Sequence, residues 1–348
     1  MTRIDDVARL AGVSTATVSR ALRGLPTVSQ ATRERVLEAA AQLGYIASPS
    51  ASRLAGGKTR AVAVVVPRIT PWFFSTVVEA AEERLHQAGY DLLLFNLGGS
   101  EHARQRLFYT STLHKRVDAL MLVATPLAER DFAAVAGLGL PGVTVSAGTR
   151  VPGWPSVRID DVATACAATD HLLALGHRRI AHISGDPSDE LAISTHLDRR
   201  RGYQERLRAH GIPPDPALDV EATFTIAGGS RATAELLRRG EPPTAIFAAS
   251  DEMAMGAIAT LRSAGLRVPD DVSVIGVDDH DVSGVVGLTT VAQPAAAQGR
   301  LAAEVLLGPL QGGVNGHGES VVLPTRLVVR DSTAPPRPGT DTTMGRRS

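Results

Sequence analysis

The chain has 348 residues, of which 44% are hydrophobic and 21% charged, about two domains' worth of ordinary globular composition, which excludes disorder of the whole. No run approaches the ~18 uninterrupted apolar residues of a membrane helix, and the start, Met1-Thr-Arg-Ile-Asp-Asp, lacks the apolar segment of a secretory signal. The single cysteine, Cys166, excludes a disulfide framework and a cysteine-based metal site, so a cytoplasmic protein is expected.

The formal net charge of zero conceals an asymmetry: residues 1–60 carry nine Lys/Arg against four Asp/Glu, and the rest of the chain is correspondingly acidic. A basic head on an acidic body suggests a polyanionic partner for the head. Three helices follow in order. Ile4, Val7, Ala8 and Ala11 recur at helical spacing, with Gly12 as the closing residue. Ser14 stands as N-cap of a helix over 15–22 that Gly24 stops. Ser29 caps a third helix, with Val36, Leu37, Ala40 and Leu43 as its apolar stripe and Gly44 as its end. Two helices joined by a short turn containing glycine form the helix-turn-helix pattern. The second helix presents Thr15, Ala16 and Arg20 outward; arginine clamps guanine O6/N7, and small residues approach a thymine methyl. The basic surplus and the glycine-bearing turn argue against a plain three-helix packing module.

The stretches IDDVARLAGVSTATVSRALRG and VSQATRERVLEAAAQLGY, followed by SPSASRLAGGKT at 48–59, resemble the DNA-binding headpiece and hinge of the LacI/GalR family of bacterial repressors. The resemblance implies a helix-turn-helix headpiece over 1–47, a hinge over 48–59 and an effector-binding, dimerising body over 60–331. It implies base contacts from Thr15, Ala16 and Arg20, and phosphate contacts from Ser14, Thr17, Ser19, Thr32, Tyr45 and Arg53. Pro49 to Ala55 span about one and a half helical turns, too short to be stable alone. In the family the matching segment folds when two subunits meet in the minor groove, and the leucine matching Leu54 wedges between base steps. A flexible Ser/Gly tether is the alternative for this stretch.

From residue 61 the pattern alternates. Strands are expected at 61–66, 91–95, 119–124, 142–146 and 156–159, with helices at 75–88 and 101–114. A second series sets helices at 162–175, 198–210, 228–238 and 251–264 among strands at 180–184, 218–222, 245–249 and 273–277. This is an α/β chain: two doubly wound parallel units in tandem behind an all-α head, with a cleft at the strands' carboxyl ends. No GxGxxG or P-loop follows any strand, so no nucleotide cofactor is expected. The histidines lack metal-ligand spacing, so no metal is expected either. The body is similar to periplasmic binding proteins. The resemblance implies crossings near 160, 290 and 325 that divide it into lobes of 60–160 plus 292–322 and 161–291 plus 323–331. The tail, 332–348, is rich in Pro, Thr and Arg, has no heptad, and reads as disordered; a dimer is expected.

Trp72, Phe73 and Phe74 follow the first strand and Pro71, where aromatic faces suit a sugar ring or a nucleobase; anchoring a helix start in the core is the competing role. By resemblance, Arg199, three residues before Gly202-Tyr203, binds the effector, with Arg200 and Arg201 beside it leaving the choice open. Asp278 in VIGVDD, Asp160, Phe224 and Ser250 also fall at family pocket positions, implying a small polar ligand such as a sugar or sugar derivative. His177 and His182 read as structural, Cys166 as a buried small residue, and Asp251 as the cap of the helix after it. The expectation is a repressor that binds a near-palindromic operator as a homodimer under the control of a small ligand. A solute-binding protein, an enzyme on the same scaffold, and an activator or sensor of a non-sugar metabolite are the alternatives.

Overall fold

The computed structural model describes residues 2–22, 24–45, 58–110, 112–125, 127, 129–148, 150–186, 195–313 and 318–337. The expected hinge helix, with Arg53 and Leu54, lies outside the described residues. The chain divides into two compact units, residues 1–61 with 115–118, and residues 62–114 with 119–348.

In the first unit the chain forms α1 (Ile4–Ala11), α2 (Thr15–Leu22) and α3 (Gln30–Gln42). Their shared core comprises Val7, Ala8, Ala11, Val18, Ala21, Val28, Val36, Ala39 and Ala40. Local chemistry sets the boundaries. The Asp6 carboxylate accepts the Arg3 amide at 3.0 Å, the Ser14 hydroxyl accepts the Thr17 amide at 3.2 Å, and the Ser29 hydroxyl accepts the Thr32 amide at 3.4 Å. Gly12, at φ 66°, closes α1 in the left-handed region that glycine enters without a Cβ penalty. Leu37 departs from the expected stripe: it is 49% exposed while Ala39 is buried. Val36 and Ala40, four apart, fix the inward face, and a residue one step from Val36 is turned ~100° away from it.

The second unit holds two six-stranded sheets. The first runs β11-β5-β4-β3-β1-β2 and the second β12-β10-β9-β8-β6-β7. The first sheet's strands are β1 (Ala61–Val66), β2 (Asp91–Asn96), β3 (Ala119–Val123), β4 (Gly142–Val145), β5 (Ser156–Arg158) and β11 (Ser320–Val322). Around it pack α4 (Trp72–Gln87), α5 (Glu101–Tyr109), α6 (Glu129–Gly137) and α11 (Ala295–Leu310). The second sheet consists of β6 (Ile180–Gly185), β7 (Asp219–Ala222), β8 (Ala245–Ala248), β9 (Ser273–Asp278), β10 (Thr289–Ala292) and β12 (Arg326–Val328). Its helices are α7 (Asp161–Ala174), α8 (Thr195–Ala209), α9 (Ile226–Arg238) and α10 (Asp251–Ser263). β1, β3, β6, β8 and β9 are buried throughout, as parallel strands covered on both faces must be. β12 is antiparallel to β10.

α4 begins three residues earlier than its periodicity predicts, so the aromatic triplet is its first turn and not a loop. α5 ends at Tyr109 and not at 114; there the Thr110 hydroxyl donates to the Arg106 carbonyl at 2.6 Å. α6, α11 and the strands β10, β11 and β12 carry no sequence expectation of their own. The tail expected to be disordered from 332 is docked through Arg337. The Ser332 hydroxyl donates to the Val274 carbonyl at 2.6 Å and accepts the Thr289 amide at 2.8 Å. Ala334 and Ser273 exchange hydrogen bonds at 3.0 Å, and Arg337 pairs with Asp271.

Buried His177 bridges Thr244 Oγ1 at 3.0 Å and the Ala334 carbonyl at 2.9 Å, a structural role. His182 stacks on Tyr203 at 4.9 Å and faces Asp219 at 3.4 Å; burial lowers its pKa against the pull of that carboxylate. Cys166 is half-buried, less enclosed than expected. No helix among the described residues is long and apolar enough to cross a membrane.

Candidate functional site

Two surfaces draw the expected functional residues together, one on each unit. On the first, α2 turns Val18 and Ala21 into the three-helix core and leaves Thr15, Ala16 and Arg20 exposed on the other side. Ser14 is exposed at the helix start, its hydroxyl 2.9 Å from Thr17 Oγ1. Ser19, Thr32 and Tyr45 are half-buried, Tyr45 packing against the core edge. A short helix held from behind, with an exposed arginine and small residues in front, has the dimensions and donors to enter a major groove.

On the second unit, a cavity of about 420 Å³ lies between the two sheets' carboxyl ends. Trp72, Phe73, Phe74, Arg199, Phe224, Ser250 and Asp278 all line it. Phe74 is also part of the first lobe's core, and Trp72 and Phe73 pack against that core, so the triplet anchors a helix start and faces the cavity at once.

Asp160 is the exception. Its carboxylate accepts the Ala163 amide at 3.0 Å and caps α7, while the next residue, Asp161, lines the cavity. An N-cap side chain folds back onto the amides of its own first turn, which withdraws it from the cleft.

The arginine run is resolved by its partners. Arg199, 4% exposed, donates from Nε to Asp161 Oδ1 at 2.8 Å and from Nη1 to the Ala249 carbonyl. Arg200 instead meets Asp219 at 2.5 Å, and Arg201 meets Asp198 at 3.2 Å.

Asp278 ends β9 at φ 136°, a strained value for a residue with a side chain. Its Oδ1 accepts Gln293 Nε2 at 2.5 Å. That amide oxygen accepts from Gln298 at 3.1 Å, whose own oxygen accepts the Ser146 hydroxyl at 2.9 Å. A hydrogen-bonded chain thus runs from β9 to the end of β4 in the other lobe. Burial pushes the Asp278 pKa up to about 7, opposed by the Arg199 guanidinium and reinforced by nearby Asp251.

Asp251 is not the cap of α10; Ser250 is, accepting the Met253 amide at 3.4 Å. Asp251 is fully buried and accepts from Ser283 Oγ at 2.6 Å, Thr290 Oγ1 at 2.6 Å and the His280 amide at 2.9 Å, holding the loop after β9. Burial raises its pKa against those three bonds.

Sequence reasoning missed Glu252, Asp186, His196, Arg68 and Gln293, all in the cavity wall. The first of these joins the lobes: Glu252 Oε1 accepts the Trp72 amide at 2.9 Å, across 180 positions, and the Trp72 indole faces the His280 ring at 5.4 Å. Glu252→Ala removes a carboxylate cap from α4 and is expected to cost about 1 kcal/mol of thermal stability. Acrylamide quenching of Trp72 should rise when Glu252→Ala is combined with Trp154→Phe, which leaves Trp72 the sole tryptophan. Unchanged quenching would show that the contact does not hold the lobes together.

Both units match known protein families. Residues 3–48 match bacterial regulatory proteins of the lacI family, and residues 169–333 match a periplasmic binding protein-like domain. The chain is 37% identical over 332 residues to the HTH-type transcriptional repressor CytR of Escherichia coli strain K12, covering 94% of this chain and 95% of that protein. It is 33% identical over 310 residues to the HTH-type transcriptional repressor PurR of Photobacterium profundum, covering 88% and 91%. The Lac repressor dimer bound to operator and the anti-inducer ONPF superposes with a TM-score of 0.81 at 31% identity, over 96% of this chain and 99% of that one. The complex of the transcriptional regulator CelR with cellobiose gives 0.71 at 33% identity, over 95% and 100%.

A helix-turn-helix head joined to a two-lobed body with a cavity between the lobes defines a DNA-binding transcriptional regulator with an effector domain. The chain belongs to the LacI family of bacterial regulatory proteins.

Proposed function

We propose that the chain is a repressor that works as a homodimer, each subunit laying α2 in the major groove of one half of a near-palindromic operator, with a sugar or sugar derivative between the lobes as its effector. The observation that carries the DNA reading is the exposure of Thr15, Ala16 and Arg20 opposite the buried Val18 and Ala21. Arg20 reads a guanine edge, Thr15 and Ala16 read their neighbours, and Ser14, Thr17, Ser19, Thr32 and Tyr45 set the register on phosphates. Arg53 and Leu54 act in the hinge, Leu54 as a minor-groove wedge. The relatives support this reading: one solved complex is a dimer on operator, another holds cellobiose, and a third, from Enterococcus faecium, holds ribose. The exposed valines Val282, Val285 and Val286 supply apolar surface for a second copy. Effector between the lobes changes their relative angle and with it the distance at which two hinge segments meet. A coupling of ~1–3 kcal/mol changes operator occupancy roughly 5- to 150-fold.

Selection of bound genomic fragments at fixed salt, with and without a panel of sugars, tests the whole reading. Affinity for the selected site is expected to fall steeply as salt rises, because each phosphate contact releases counterions. Arg20→Ala is expected to cost about 1–3 kcal/mol at one base pair of each half-site and to relax preference there alone. A uniform loss over all sequences would move Arg20 to the phosphate class, and salt-independent binding would remove the head's assigned role.

A further inference from the structure

Several anion-holding groups in the wall of the interlobe cavity are already bonded to the chain's own groups. A buried guanidinium and the N-termini of helices are what a fold offers a phosphate. Here Arg199 is taken by Asp161 at 2.8 Å and by the Ala249 carbonyl. The first amide of α4, on Trp72, is taken by the Glu252 carboxylate. Amides in the first turns of α7, α9 and α10 are held by Asp160, by Thr225 Oγ1 at 3.0 Å, and by Ser250.

The charges of the lining point the same way. Among the described lining residues the carboxyl groups are Asp161, Asp186, Glu252 and Asp278, the last fully ionised only above pH 7, against Arg68 and Arg199, with His196 the remaining ionisable side chain. A cleft lined by an excess of one sign focuses its field and excludes ions of that sign. What the wall keeps for a ligand is aromatic faces and carboxylate oxygens able to accept hydroxyl hydrogens.

Resting on the reading of this cavity as the effector site, we infer that it takes an uncharged, hydroxylated ring molecule and rejects that molecule's phosphate ester. A phosphate entering the cavity has to displace Asp161 from Arg199 or lie beside Glu252 and Asp278, and like charges brought together in a desolvated site are strongly unfavourable. A free sugar and a nucleoside share the accepted chemistry. Their esters share the rejected one.

The chain has two tryptophans, and Trp154, whose ring packs over Gly142, is not among the cavity residues. Trp154→Phe therefore makes Trp72 the sole reporter. At pH 8 and low ionic strength, iodide is expected to quench Trp72 at least about twofold less than caesium does, each normalised to free indole, while neutral acrylamide sets the accessible limit. The double change Asp161→Asn with Glu252→Gln should raise iodide access in the same background. Equal or stronger quenching by iodide in the parent overturns the inference.

The unmodified chain supplies the second arm. Melting shifts are compared for ribose and ribose 5-phosphate, glucose and glucose 6-phosphate, and uridine and uridine 5′-monophosphate. Any response is expected from the parent compound, with its ester at least about tenfold weaker, and the sugar and nucleoside pairs separate the two sources. A larger shift from an ester refutes the proposal even if Trp154→Phe does not fold. If iodide is excluded and no parent compound binds, the charge selection stands and the effector reading is what fails.

Discussion

Arg199→Ala is expected to destabilise the body by about 3–5 kcal/mol, because it strips the partner from a carboxylate that stays buried. Arg199 is 4% exposed, and its guanidinium meets Asp161 and the Ala249 carbonyl, so the substitution leaves both acceptors without that partner in the cavity wall. Burial already raises the Asp161 pKa against the pull of Arg199, and without the guanidinium it rises further. The loss should accordingly shrink as pH falls and Asp161 becomes neutral. Adding Asp161→Ala is expected to restore more than half of the lost stability, since an ion pair removed whole costs far less than one cut in two. Denaturant unfolding of both variants at pH 5 and pH 8 measures this. A single variant within ~1 kcal/mol of the parent would mean that the pair is solvated and contributes as a surface bridge does.

Asp278 gives the second large effect, and its sign follows from the direction of its shift. Its carboxyl titrates near 7 in the fold, against about 3.9 in an unfolded chain. Below about pH 4 both states are protonated and the group costs nothing. As pH rises towards 7 the unfolded state ionises first, so the fold loses stability over that window and carries the full penalty above it. Asp278→Asn keeps an oxygen for the Gln293 amide and cannot ionise. It is therefore expected to be more stable than the parent by roughly 2–4 kcal/mol at pH 8 and equal to it near pH 4. Asp161 and Asp251 are shifted upward by burial as well, so the informative quantity is the difference between variant and parent across pH. A constant difference would show that Asp278 is already neutral throughout. In the functional reading the same variant loses the effector response and keeps its operator affinity.

Elements whose information is local were readable in advance. The head's helices end at Gly12, Gly24 and Gly44, each at positive φ, and begin beside Ser14 and Ser29, whose hydroxyls hold first-turn amides. The buried strands of the parallel sheets are legible as unbroken apolar runs such as Ala61–Val66. The family resemblance also pointed to Asp278 and to the run Arg199–Arg201, of which Asp278 and Arg199 line the cavity.

What escaped was the choice between neighbours: Asp161 rather than Asp160 in the wall, Ser250 rather than Asp251 as the cap, Leu37 turned outward. Adjacent helical residues differ by ~100° in direction, and composition cannot say which direction is inward until other elements pack there. Distance along the chain hid the rest. The Trp72–Glu252 bond joins residues 180 apart, and Ser332–Arg337 acquire order only by bonding to β9, β10 and their neighbours. The sequence by itself determined the α/β class, the head's three helices, most of the body's elements up to β9 and the family to which they belong, because caps, periodicity and motif spacing act over a few residues. The charge and shape of the cavity were decided by tertiary structure, since they depend on which carboxylates from separate segments converge and on which amides and cations those carboxylates have already taken.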